Sequence, residues 1–258
     1  MHVLGLLLAF AATLFGALTG MGGGIFMKPV LDLAGWQDAA SISVITSATV
    51  LVMTVITRFK SRHSPNKPPA AIAVPLAVGS VTGGFIGERL FGLLIRAAAP
   101  GAVKVTQNAV LLGIVVVIFI YMQNKKRIAS LHVANALPAF AVGAALGLVS
   151  AFLGIGGGPL NVAVIIFVFG VSTRGAVQCS LLAVLFSQAA KLASVLLFTN
   201  MAAYNLALLP VMLIGGAAGG LAGGMVGERL SARACDALFL VSQGMVAALC
   251  IVNVIGNL

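Results

Sequence analysis

Twice in this chain a run of three glycines interrupts an apolar stretch, in Gly20-Met21-Gly22-Gly23-Gly24 and again in Gly154-Ile155-Gly156-Gly157-Gly158. Glycine buries no side chain and loses the most backbone freedom on ordering, so three in a row end a helix instead of extending it. Ending a helix between apolar flanks leaves amides and carbonyls where water cannot satisfy them. A membrane protein tolerates this only where the irregular backbone is wrapped by protein or lines a cavity, and discontinuous helices of this kind are where transporters hold substrates.

Composition agrees with a membrane setting. The chain has 258 residues, 60% hydrophobic and 8% charged, with a mean hydropathy of +1.14. That is too little polar surface to coat a soluble globule, so the expected fold is all-α and polytopic, with lipid as its solvent. Lys and Arg number 15 against 5 Asp and Glu. The cations gather in short segments between apolar runs, where they set membrane orientation, and no nucleic-acid partner is expected. Cys179, Cys235 and Cys250, and His2, His63 and His132, lack ligand-like spacing, so neither a metal, a cofactor nor a disulfide framework is expected. The apolar stretch from His2 to Gly20 has no basic start and is matched internally by Ala134 to Leu153, so it reads as part of the membrane body and not as a signal peptide.

Apolar runs long enough to cross or half-cross the hydrocarbon core predict helices at 2–20, 25–34, 39–57, 69–87 and 102–122, then at 134–153, 159–170, 175–198, 203–226 and 233–256. A basic loop carrying Arg58, Lys60, Arg62, His63 and Lys67 follows the third run. Landmarks recur in order. The glycines repeat at an offset of 134 residues, Val105-Thr106-Gln107 returns as Val241-Ser242-Gln243 at 136, and Gly87-Glu88-Arg89-Leu90 returns as Gly227-Glu228-Arg229-Leu230 at 140. Ordered matches at nearly constant offset predict a duplication, with repeats 1–127 and 128–258 meeting at Lys125-Lys126-Arg127.

On these residues the chain resembles the sulfite exporter TauE/SafE family, also called TSUP, over essentially its whole length. The resemblance rests on the two glycine units, on the small and polar residues opening the following helices (Ser43 to Ser47 and Gln178-Cys179-Ser180), and on the small-residue helix ending in G-E-R-L. It implies a transporter of sulfur-containing anions such as sulfite, sulfonates or sulfoacetate in the bacterial inner membrane, without covalent chemistry. The proline that follows the glycines is Pro29 in the first half, but Pro159 stands directly after them in the second.

A helix starting after a glycine break offers unpaired N–H groups and the positive end of its dipole, which favours an anion. The expected substrate-binding residues are Gly22, Gly23, Gly24, Ser43, Thr46 and Ser47 from the first half, and Gly156, Gly157, Gly158, Asn161, Gln178, Cys179 and Ser180 from the second. In this reading the hydroxyls of Thr46, Ser47 and Ser180 and the amide of Gln178 donate to an oxyanion held by the glycine amides. Lys28 and Lys191 are read as lysines that snorkel to the surface, with pairing to a bound anion as the minority reading, and Glu88-Arg89 and Glu228-Arg229 as interfacial ion pairs at helix ends, with a gate or proton-coupling carboxylate as the minority reading. Other readings are a carrier of another small anion or of a metal ion, and a non-transporting membrane assembly factor; a homodimer is left open.

Charge also addresses orientation. If each glycine unit crosses the membrane, the halves are parallel and the cations divide almost evenly. If each unit returns to its own side, the second half is inverted and ten of the fifteen cations share one side, as positive-inside placement prefers. Inversion is the favoured reading.

Overall fold

The computed structural model describes residues 1–61, 70–97, 99–125, 127–227 and 229–256. The first helix, α1 (His2–Thr19), stops where Gly20 turns into the left-handed region at φ 72°, and α2 (Gly24–Ala34) follows. Four long helices complete the first half: α3 (Ala39–Lys60), α4 (Ala70–Ala97) and α5 (Pro100–Asn124), with α1 as the fourth. In the second half α6 (Ala136–Leu153) stops at Gly154 with φ 66°, and α7 (Pro159–Phe169), α8 (Thr173–Phe198), α9 (Leu209–Gly227) and α10 (Ala232–Gly256) follow. A glycine is required at both stops, because side chains rarely adopt that φ and because Val177 backs onto Gly20 and Ser43 onto Gly154. Among the described residues there is no strand, and eight helices are long and apolar enough to cross a membrane. The protein is a multi-pass membrane protein.

Close glycine contacts fix the helix directions. Gly215, Gly219 and Gly223 of α9 abut Leu6, Phe10 and Leu14 of α1 in turn, while Gly216, Gly220 and Gly224 abut Thr49, Met53 and Thr57 of α3. Therefore α1, α3 and α9 run parallel. Gly79, Gly83 and Gly87 of α4 likewise meet Phe140, Ala144 and Leu148 of α6, and Gly84 meets Ser187 of α8. These three run parallel to one another. The two sets oppose each other, since the start of α3 touches the end of α8 (Ser43 with Lys191) and the end of α3 touches the start of α8 (Arg58 with Gln178). Small residues permit this backbone approach, which supplies the packing that lipid gives no hydrophobic drive for.

It follows that each glycine unit is a hairpin. Gly23 packs back onto Thr13 and Gly16, and α2 returns to the face where α1 began, which also carries the loop that hydrogen-bonds Ser41 at the start of α3 (Asn205 N–H to Ser41 Oγ, 2.9 Å). We call this the first face. On the opposite, second face, Leu131 and Val133 ahead of α6 donate to the carbonyls of Phe167 and Val168 at the end of α7, both at 2.9 Å. The hairpin tips meet inside the protein, with Gly22 against the carbonyl of Gly156 and Gly24 against that of Ile155. The sequence halves interlock, because α1 packs on α9 and α6 on α4.

Three sequence expectations change. The fourth helix does not end at Gly87 but runs on to Ala97, because the apolar segment Leu90 to Ile95 continues the helix and the charge of Glu88 is met from α8. Neither lysine snorkels: Lys28 is 1% exposed and pairs with Asp32 one turn on, at 2.9 Å, and Lys191 is wholly buried. The ninth helix starts at Leu209, not 203, since Asn200 and Asn205 turn their side chains back on the amides of Ala202 and Ala207 and Pro210 suits a first helical turn. The loop residues Arg62, His63 and Lys67, together with Lys126 and Glu228, lie outside the described residues.

Candidate functional site

The α3 helix opens with Asp38 as its N-cap, the carboxylate accepting from the Ser41 amide at 2.9 Å. One turn further in, Ser43 sits at the floor of a cavity of about 580 Å³ between the first-face ends of α3, α4 and α8. Glu88, Arg89, Arg96, Ser194 and Tyr204 also line it. Behind the floor stands Lys191, wholly buried, whose ammonium donates to Ser43 Oγ and to the Ala151 carbonyl at 3.3 Å and lies 3.6 Å from Glu88 Oε2. Arg89 does not pair with its neighbour Glu88; its guanidinium lies over the rings of Phe85 (5.1 Å) and Phe198 (4.3 Å).

Residues 43, 47 and 50 follow one face of α3 inward. Ser47 is fully buried and its hydroxyl has no hydrogen-bond partner among the described residues. Val50 then packs on Gly22 and Gly156, and Val184 of α8 packs on Gly157, so apolar side chains fill the space between the hairpin tips. At the tips, Phe26 and Met27 donate to the Gly23 carbonyl and Asn161 to that of Gly158. The buried amides of Gly24, Ile25 and Gly158 have no backbone acceptor among the described residues. N–H groups without a backbone acceptor at a helix start favour an anion in general.

The other hydroxyls are engaged elsewhere. Thr46 Oγ1 lies 2.9 Å from the Gly154 carbonyl, and Ser180 Oγ donates to the Gly20 carbonyl, so each long helix is tied to the hairpin of the opposite half. The Thr46 hydroxyl also lies 2.7 Å from the Ile42 carbonyl. Cys179 is buried and Asn161 is 3% exposed, its α7 start beside a small apolar void. Gln178 is brought to the second face, away from Ser43, and accepts from Arg58 Nη1 at 2.6 Å. There it lines a void of only about 40 Å³ with Thr57, Ser61, Arg174 and Gly224. Antiparallel α3 and α8 thus send Ser43 and Gln178 to opposite mouths of one central region.

A family model for sulfite exporter TauE/SafE matches residues 5–249. The chain belongs to the sulfite exporter TauE/SafE family. No curated protein matches it. The family is one of membrane transporters, and the eight apolar helices of this member fit it. Within the match, Lys191 and Glu88 were not singled out as a pair by sequence reasoning. Each sits about two-thirds along its helix, but on different helices and far apart in the chain, so only the parallel packing of α4 and α8 joins them. Asp32 was a signal that sequence offered, because it stands one helical turn from Lys28.

Proposed function

We propose that this family member transports small sulfur-containing anions, sulfite, sulfonate or sulfoacetate in type, across the bacterial inner membrane. The observation that carries the reading is the buried Lys191 ammonium, which donates to Ser43 just behind the floor of an open cavity. An ionised side chain inside a membrane protein costs about 2.5–3.5 kcal/mol on insertion scales, which argues for a function when no membrane surface is in reach. In this reading the anion enters past Arg89 and Arg96, docks on Lys191 and Ser43, and passes to Ser47 and the amides of Gly24, Ile25 and Gly158 when the tips part.

The same reading takes the halves as homologous repeats, 1–127 and 128–258, the second inverted. Its support is the antiparallel course of α3 and α8 and the matched ties of Thr46 to Gly154 and of Ser180 to Gly20, each pair displaced by 134 residues. The 580 Å³ and 40 Å³ spaces then occupy equivalent places, one wide and one narrow, the narrow one bridged by Arg58 on Gln178. Helix ends and connections at the second face together carry ten of the fifteen Lys and Arg residues, and positive-inside placement then puts that face on the cytoplasmic side in this reading.

Flux into proteoliposomes tests the function. With sulfite, thiosulfate, taurine, sulfoacetate, sulfate, nickel and sodium each supplied in turn, at least one sulfur anion should accumulate and neither cation should. Accumulation of nickel or sodium with no sulfur anion would sink the proposal, since the site presents N–H, O–H and ammonium donors.

A further inference from the structure

We infer that Glu88 takes up one proton for each anion that docks on Lys191, so that substrate and proton travel together; this rests on the anion site proposed above. The Lys191 ammonium has three N–H bonds, and in this state two are satisfied by Ser43 Oγ and the Ala151 carbonyl. Glu88 Oε2 lies 3.6 Å away, beyond hydrogen-bond length, and has no hydrogen-bond partner among the described residues. Charge alone therefore holds the pair. Glu88 and Phe91 line the cavity and the Lys191 ammonium stands behind them, 5.6 Å from the Phe91 ring centroid, so an oxyanion that reaches Lys191 through the cavity docks beside Glu88.

Docking there places two negative groups on one buried cation. The Lys191 side chain is 0% and the Glu88 side chain 12% exposed, so water screens the surplus charge poorly. Among the described residues no other cation is placed to absorb it. On α4 itself, Arg89 is held over Phe85 and Phe198, and Arg96 lies nearer the mouth. Among the elements packed against α4, α6 carries no ionisable side chain, and Lys104 of α5 is turned to the Asp32 carbonyl at 3.4 Å. Lys28 of α2 is committed to Asp32, and Tyr204, which lines the cavity, adds no positive charge. A proton from water in the cavity converts the Glu88 carboxylate to the neutral acid. Lys191 keeps its charge for the anion, and release reverses both steps. A monovalent sulfonate then crosses with no net charge.

Proton uptake on binding tests this in purified protein, by calorimetry in buffers of differing ionisation enthalpy. The probes are thiosulfate and methanesulfonate, both fully ionised near neutral pH, and sulfite corrected for its own titration. Wild type should take up about one proton per bound anion, and Glu88→Gln should take up none. Anion binding without proton uptake in wild type overturns the inference and leaves the transport reading standing, and so does undiminished uptake in Glu88→Gln. Should none of the three anions bind, the anion site itself fails and the inference with it. The wild-type count decides even if Glu88→Gln does not fold.

Discussion

Replacing Gly157 with leucine is expected to abolish transport and to lower the melting temperature of the purified protein, whereas Gly158→Ala should do neither. Gly157 holds φ at 102°, and a side chain there would run into Val184 at the contact of the two hairpin tips. Left-handed backbone costs a side chain about 1–2 kcal/mol, and overpacking adds about 1–3 kcal/mol. Gly158 has extended backbone at φ −169°, and an added methyl would meet nothing closer than the Ile155 Cδ1 at 3.2 Å, the far end of a flexible side chain. Flux in proteoliposomes and thermal unfolding in detergent read the pair. A leucine at 157 with normal flux would place the path away from the hairpin tips. Leucine at Gly23 should be as damaging to the fold, because its Cβ would fall 2.9 Å from the Thr13 backbone.

Lys191→Met should lose anion binding by about 10- to 100-fold, the range expected when a hydrogen bond to a charged group, worth about 1.5–3 kcal/mol, is removed from a buried site. The single variant also strands Glu88, so the companion Lys191→Met/Glu88→Gln removes the pair as a unit and restores stability without restoring binding. Isothermal titration with sulfite and thiosulfate on both variants measures this. If the double variant binds as tightly as wild type, Lys191 is a structural partner of Ser43 and Ala151 only.

Much of this architecture was legible in the residues themselves. Glycine triplets place both helix stops within a residue of where they occur, the all-α class and most helix limits followed from apolar run lengths, and the family from the glycine units and the strings that accompany them. Interior pairing was harder to read. Glu88 looked like a helix-end charge because a charged pair after a glycine-rich stretch reads as interfacial, and nothing local reveals that a lysine 103 residues later arrives beside it. The same limit applies to Gln178 and Arg58, which meet only because α3 and α8 run in opposite directions. Hydroxyl patterns were legible as polar lining but not in their use. Thr46 and Ser180 are aimed at carbonyls of the opposite hairpin, and sequence cannot tell such a tie from a free donor such as Ser47.

Two hairpins that enter from opposite faces and meet around the anion path put the ends of α3 and α8 on opposite sides of the membrane, and labelling of single cysteines reads those sides. With Cys179, Cys235 and Cys250 replaced, a cysteine is placed at Ser64 or at Asn200, and intact cells are treated with a thiol reagent that cannot cross the membrane. Opposite entry predicts labelling at Asn200 from outside and at Ser64 only after the membrane is opened. Equal labelling of the two positions from outside, or of neither, would put both on the same side and rule out entry from opposite faces.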